Sequence, residues 1–420
     1  MVTAFVDMVG LLMVIPLLPF YAVRMGGGGL VVGVLVSAYA VAQLLSAPLW
    51  GRVSDRFGRR PALLVGLGAS AIAYVIFAYA GSLWVLLLSR LVQGAGGGTV
   101  GVIQAYVADA TEPENRARSL GWLSAATNVG VTIGPVIGSL SMGISEHAPG
   151  LFAAGLCVAN MVFAWFFLEE SHDVAGARSR SSTTRPVRPR EVVWQVLAHP
   201  REPAPRMIWI YSIGMGAFQM MTALLALFLA TRFGVTEKTI GLVYAYNGAI
   251  SVLARAVVLG RAVDRLGEAR LSRIGQMLLA SGLALLPLTW RIGGAATLDL
   301  SVLPGGWGVV EVPLRTLALM GALALVPLGT AFTFPCITSI LSRVIPPYER
   351  GVYMGVQQSY GGAARVLAPL WAGWAFDHLG VGVPFWTGAV LVLATLGLGM
   401  GIEEYTRPRP EPGSAPAAAG

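Results

Sequence analysis

The amino-acid sequence predicts an all-α membrane protein whose twelve transmembrane helices form two six-helix bundles. Composition is the first ground for this. Of 420 residues, 55% are hydrophobic and 12% charged, with a mean hydropathy of +0.69, whereas about a quarter of an ordinary soluble domain is charged. So few charges cannot wet a whole folded surface. The same composition excludes disorder, a collagen-like repeat and a disulfide-stapled secreted domain. The second ground is a series of twelve apolar runs, and the third is a charged decapeptide that recurs once in each half.

Each run is about the 20 residues that a helix needs to cross a bilayer. They cover residues 2–23, 30–50, 61–80, 83–108, 119–141, 149–168, 207–231, 239–259, 270–289, 316–342, 352–376 and 382–402, numbered here as spans 1 to 12. Helices are required, because unpaired backbone groups are too costly in lipid and the runs lack strand alternation. The first run is not a cleaved leader: it carries Asp7, has no basic leading segment and flows into a second span. Almost nothing precedes it, which leaves a start upstream of Met1 open. The polar stretch 169–206, containing GARSRSSTTRPVRPRE, separates an N-terminal bundle at 1–168 from a C-terminal bundle at 207–402. Its Ser, Thr, Pro and Arg content cannot build a core, so a flexible linker is expected, with a disordered tail at 403–420.

Charge gives the orientation. With both termini in the cytoplasm, 21 of the 29 basic residues fall in inside segments and five in outside loops, the asymmetry of the positive-inside rule. Arg90, Arg255 and Arg365 remain, all within spans. The net charge of +8 and pI near 9.8 are thus a topology signal spread over short loops, not a nucleic-acid surface. Every basic residue except Lys238 is Arg, the mark of a GC-rich genome. Cys157 and Cys336 both lie in apolar runs and indicate no disulfide framework.

The recurring decapeptide is GRVSDRFGRR at 51–60 and GRAVDRLGEA at 260–269, an offset of 209. Further on, Pro113, Arg116, Gly121 and Pro135 match Pro347, Arg350, Gly355 and Pro369 at an offset of 234. The 25 extra residues fall in a Gly-rich outside loop at 291–315. The halves are therefore parallel repeats, an arrangement that places a cargo site between them near the midplane.

Four strings resemble motifs of the major facilitator superfamily. GRVSDRFGRR is similar to its loop motif between spans 2 and 3, RLVQG (90–94) to its span 4 motif, and GVTIGPVIG (130–138) to its span 5 antiporter motif. FVDMVGLLMVIPLLPFYA (5–22) resembles span 1 of the drug:proton antiporters, the tetracycline and multidrug exporters. The second-half string AARVLAPLWAG (363–373) departs from the span 5 pattern, with Ala368 where the motif has Gly. The resemblance implies the major facilitator fold and proton-coupled export of small lipophilic drugs by alternating access. It also implies a bacterial cell-membrane protein working as a monomer, its partners being small-molecule substrate, protons and the bilayer. The alternatives are a transporter for one metabolite, a sugar or organic anion, or a non-transporting sensor or scaffold on the same fold.

Within this frame, Asp7 and Arg90 are the candidates for proton coupling. An ionised side chain inside a span costs a few kcal/mol or more and is kept where it is paired or functional. Neither has a charged counterpart in the other half, where the offsets place Gly216 and Ala324. Gly51, Asp55, Arg56, Gly58 and Arg59 are the candidate cytoplasmic gate. Asp55 is expected near the start of span 3, where a carboxylate favours the helix dipole. The resemblance implies that Asp55 and Arg59 latch the halves in the outward-facing state. Asp109 is expected to cap or pair locally, and Arg60 to set topology. Gly130, Gly134 and Gly138, spaced four apart around Pro135, form a stripe for close helix packing. The candidate substrate pocket comprises Gln43, Gln104, Asn128, Gln219, Tyr244, Asn247, Phe332, Phe334, Gln357, Gln358, Arg365 and Trp371, with Arg255 as a second attractor for an anion.

Chemistry of other kinds has no support in the sequence. The only lysine is not in a phosphate-binding loop, and Gly96, Gly98 and Gly101 lie in an apolar helix with no preceding strand. The four histidines are far apart, no nucleophile elbow occurs, and neither an enzyme, a metal site nor a cofactor is expected.

Overall fold

The computed structural model describes all residues except 98, 113–114, 171–188, 300–308, 347–348 and 403–420. The tail, much of the linker, the repeat prolines Pro113 and Pro347 and the middle of the long loop therefore lie outside the described residues. Among the described residues, ten helical segments are long and apolar enough to cross a membrane: Val2–Arg24, Gly29–Phe57, Arg59–Ala78, Leu83–Asp109, Arg118–Ser141, Ala148–Phe167, Pro203–Phe233, Ile240–Leu266, Glu268–Arg291 and Leu314–Val344. The more polar helix Arg350–His378 and the shorter Val383–Leu398 complete the series as spans 11 and 12.

Three expectations change. The decapeptide at 51–60 is not a loop: span 2 stays helical through Phe57 and only Gly58 breaks it, at φ 103°. Gly267 makes the matching break in the second half, at φ 75°, where a side chain would strain the backbone. The linker is not wholly unstructured either. Pro189–Ala198 is a helix that buries Val192 and Val196 in the second bundle's core, held by Trp209 Nε1 donating to the Val196 carbonyl at 3.0 Å and Tyr353 OH to Gln195 at 2.8 Å. Composition counted its Ser, Thr and Arg but not the spacing of Val192 and Val196. The long loop carries an antiparallel pair, β1 (Ala295–Asp299) with β2 (Val309–Pro313), in register Ala295 with Pro313.

Small residues set how the helices meet, since lipid offers no hydrophobic drive between spans. A Cβ at Gly130 would come 2.7 Å from the Phe5 carbonyl oxygen of span 1, and one at Gly134 2.7 Å from that of Val9. Gly138 lies just as tightly on the Met13 carbonyl. The second half repeats the arrangement more loosely, with Ala364 and Ala368 of span 11 facing Gly216 of span 7. Between the bundles, the Pro135 carbonyl abuts Gly241 of span 8, and the Pro369 carbonyl abuts Gly33 of span 2. Ala368 in place of Gly therefore leaves the second copy's seam in place. Because backbone cannot yield as a side chain tip does, Gly134→Val is expected to cost about 1–3 kcal/mol. A lower melting temperature in detergent checks this, with Gly101→Val, in open space, as the control.

Candidate functional site: a chamber between the bundles

A chamber of about 410 Å³ lies where the bundles face each other. Spans 1, 2, 4 and 5 meet spans 7, 8, 10 and 11 around it. Its walls are largely apolar, with Leu11, Leu35, Phe218, Val326 and Phe334, and carry the polar groups Gln43, Asn128, Gln219, Tyr244 and Asn247. It continues toward the end of the molecule that carries the linker, through a vestibule of about 750 Å³ lined by Gly51, Asp55, Arg59, Gln358 and Arg365. Arg365 lines both spaces.

The opposite end is sealed. Asp377, in the last turn of span 11, accepts hydrogen bonds from the first amides of span 2, Gly29 at 2.7 Å and Leu30 at 2.8 Å. Helix-start amides have no partner in their own helix, so the carboxylate satisfies them and meets the positive end of the dipole. Arg24 pairs with Glu237 across the same seam. Deeper in, Ser37 donates to the Val366 carbonyl at 2.6 Å, and the Gly241 amide to Ser139 at 2.8 Å. The seams end near the chamber, with Leu44 against Gly362 and Arg255 against Asn128. Gly51, Gly121 and Gly260, further toward the linker end, face open space. The molecule is thus closed at one end and open at the other, one of the two states of an alternating-access cycle.

Asp7 is half-buried and has no ion-pair or hydrogen-bond partner among the described residues. It does not join the chamber wall. Tyr39 and Tyr74 are each within electrostatic range of both Asp7 and Arg90. Arg90 is 2% exposed, stacks its guanidinium 5.2 Å from the Phe77 ring centre, and gives Nε to Ser89 at 3.3 Å. Its Nη2 is buried with no acceptor. Gln93 donates to Tyr74 OH at 2.6 Å, fixing that phenol. No direct salt bridge joins Asp7 and Arg90 among the described residues, and Tyr39 and Tyr74 share the electrostatic surroundings of both.

The gate residues are local in this state. Arg59 bonds Asp55 at 2.6 Å, Ser54 at 2.7 Å and Asp109 at 3.0 Å, all within the first bundle. Asp55 sits in the last turn of span 2, so it is not the carboxylate at the start of span 3. That place is taken by Glu170, which accepts from the amides of Arg59 at 2.8 Å and Arg60 at 3.1 Å. Arg56 is exposed and lies over Phe57.

Residues 1–319 match the family described as Major Facilitator Superfamily. This chain belongs to that superfamily. The chain is 33% identical over 372 residues to a tetracycline resistance protein, class C, from Escherichia coli, covering 88% of this chain and 86% of that one. It is 26% identical over 397 residues to multidrug resistance protein 2 of Bacillus subtilis (strain 168), covering 94% and 92%. Among solved structures, a POT family transporter in complex with 5-aminolevulinic acid superposes with a TM-score of 0.73 at 15% identity, covering 97% of this chain and 96% of that one. That last likeness concerns the superfamily fold.

Four pocket candidates lie elsewhere. Gln104 is exposed, and Phe332 packs into a cluster with Leu271 and Cys336. Gln357 is fully buried beside Thr338, and Trp371 is exposed, its ring tilted against that of Trp374. Gln358 stands in the vestibule and bonds Tyr211. The sequence missed Tyr39, Thr222, Ser251 and Thr330 in the chamber wall. Single hydroxyls on apolar spans give no signal of facing, so helical phase alone could have found them. It also missed Asp377, which it left outside span 11.

Proposed function

We propose that this protein exports small lipophilic drugs in exchange for protons, with Asp7 as the proton-carrying carboxylate and Arg90 as its coupling partner. The observation that carries the reading is the asymmetric cluster Asp7–Tyr39–Tyr74–Arg90 beside an apolar chamber between the bundles. A protonatable group next to, but outside, the cargo wall can change charge without competing for the cargo. In this reading the linker end faces the cytoplasm of a bacterial cell, as the distribution of arginines indicates, and the state described is inward-facing. The gate residues Asp55 and Arg59 then engage the second bundle only when the cytoplasmic end closes. The chain acts as a transporter, not an enzyme, and the chamber is complete within one copy, in keeping with a working monomer. The likeness to tetracycline and multidrug resistance proteins supports the drug class.

The test is expression in an efflux-deficient host with a panel of dyes and antibiotics, with and without an uncoupler. Lower accumulation of at least one compound, abolished by the uncoupler, is the expected result. No difference for any compound would favour a dedicated metabolite cargo or a non-transporting role. In the same assay Arg59→Ala is expected to lower the efflux rate several-fold while leaving cargo affinity near wild type, because Arg59 touches the vestibule and not the chamber.

A further inference from the structure

Three arginines from three helices line the chamber, and no acidic side chain joins them in its wall among the described residues. Arg90 is one of them, and its Nη2 is buried without an acceptor. Arg255 lies in a π-helical turn, Ala254–Val258, a widening that recurs at functional positions because it re-aims a side chain. It gives one Nη to Asn128 Oδ1 at 2.9 Å and leaves a buried Nε without an acceptor. Arg365 borders both vestibule and chamber, so cargo passing from one to the other passes it. The first-half position that matches it holds Val131, so this charge is not a packing feature shared by both repeats.

Asp7 stands outside the wall and can offset at most one of these charges, so the chamber keeps a positive excess. Guanidinium groups held in a low-dielectric wall with free donors favour an acceptor that brings negative charge. A cationic cargo would meet like charge from three of the helices that line the chamber. Resting on the export reading above, we propose that the cargo is a lipophilic anion: an aromatic or aliphatic body bearing one carboxylate, sulfonate or similar group, which Arg255 and Arg365 hold while the apolar wall takes the body.

Equilibrium binding to the purified protein in nanodiscs, using radiolabelled pyrenebutyrate, its neutral amide and the cationic pyrenebutylamine, tests this. The carboxylate is expected to bind at least about tenfold tighter than the amide, with the amine weakest. Arg365→Gln and Arg255→Gln should each shrink the carboxylate-to-amide ratio by about tenfold, and Arg365→Lys should keep most of it. An amine that binds as tightly as the carboxylate, or a ratio unmoved in both Gln variants, overturns the proposal. The two readings fail separately. Anion preference without pH-driven movement in vesicles removes the export reading and leaves anion recognition standing, whereas pH-driven efflux of the amine alone does the reverse.

Discussion

Asp7→Asn is expected to abolish accumulation driven by a pH difference while preserving downhill exchange of cargo across the membrane. Among the described residues Asp7 is the acidic side chain placed inside a span, since Asp55, Asp109, Asp264, Glu268 and Asp377 all lie in end turns of their helices. Asparagine keeps its size and hydrogen-bonding shape but cannot change charge, so the chamber, the Tyr39 and Tyr74 phenols and the helix packing remain. One proton exchanged per cargo across one pH unit sustains about a tenfold gradient. In proteoliposomes the wild-type ratio should approach that figure and the Asn variant should fall to about one, with exchange of labelled for unlabelled cargo unchanged. Asp7→Glu, which can still carry a proton, should recover part of the gradient. A full gradient in the Asn variant would move proton coupling away from this cluster, and Arg90→Lys, whose ammonium cannot stack on Phe77 as the guanidinium does, would then be the next variant to assay.

The fold was readable because its strongest determinants are local. A run of 20 apolar residues can only be a helix in lipid, and the duplicated decapeptide announced two like halves. Helix ends were less readable. The charged string at 51–57 reads as loop by polarity, yet it continues span 2 beyond the apolar stretch, and only the positive φ of Gly58 ends it. Residues 189–198 show the converse, a helix in a polar stretch, stabilised by two valines whose value depends on a bundle surface far away in sequence.

The site was legible in part, and the division has a physical reason. Charge inside a span is expensive wherever it occurs, so Asp7, Arg90, Arg255 and Arg365 stand out from sequence alone. Neutral polar and aromatic residues cost little, and whether one faces cargo, lipid or a neighbouring helix depends on helix rotation. Hence Asn128 and Tyr244 line the chamber while Gln104 and Trp371 do not. Asp377 was hidden for a different reason. Its partners are backbone amides almost 350 residues earlier in the chain, a contact with no side-chain signature.

That contact yields the second large effect. Asp377→Ala is expected to shift the protein from the described state toward one open at the opposite end. The carboxylate holds two amides at 2.7 and 2.8 Å, and hydrogen bonds to a charged group contribute about 1.5–3 kcal/mol each. Their combined loss, about 3–6 kcal/mol, should change the ratio of states by about two to four orders of magnitude, because the amides regain water only when the seam opens. Spin labels at Ser82→Cys and Thr236→Cys, both on exposed positions at that end, report the change as a growing long-distance population, and the two native cysteines are buried. Asp377→Asn retains an acceptor oxygen without the charge and should fall between wild type and Ala. Arg24→Ala provides the comparison, since its ion pair with Glu237 crosses the same seam but is partly exposed to solvent, where such pairs contribute about 0–1 kcal/mol. A distance distribution for Asp377→Ala that matches wild type, or one that moves no further than Arg24→Ala, would mean that the small-residue packing of Gly33 and Gly241 holds the seam without the carboxylate.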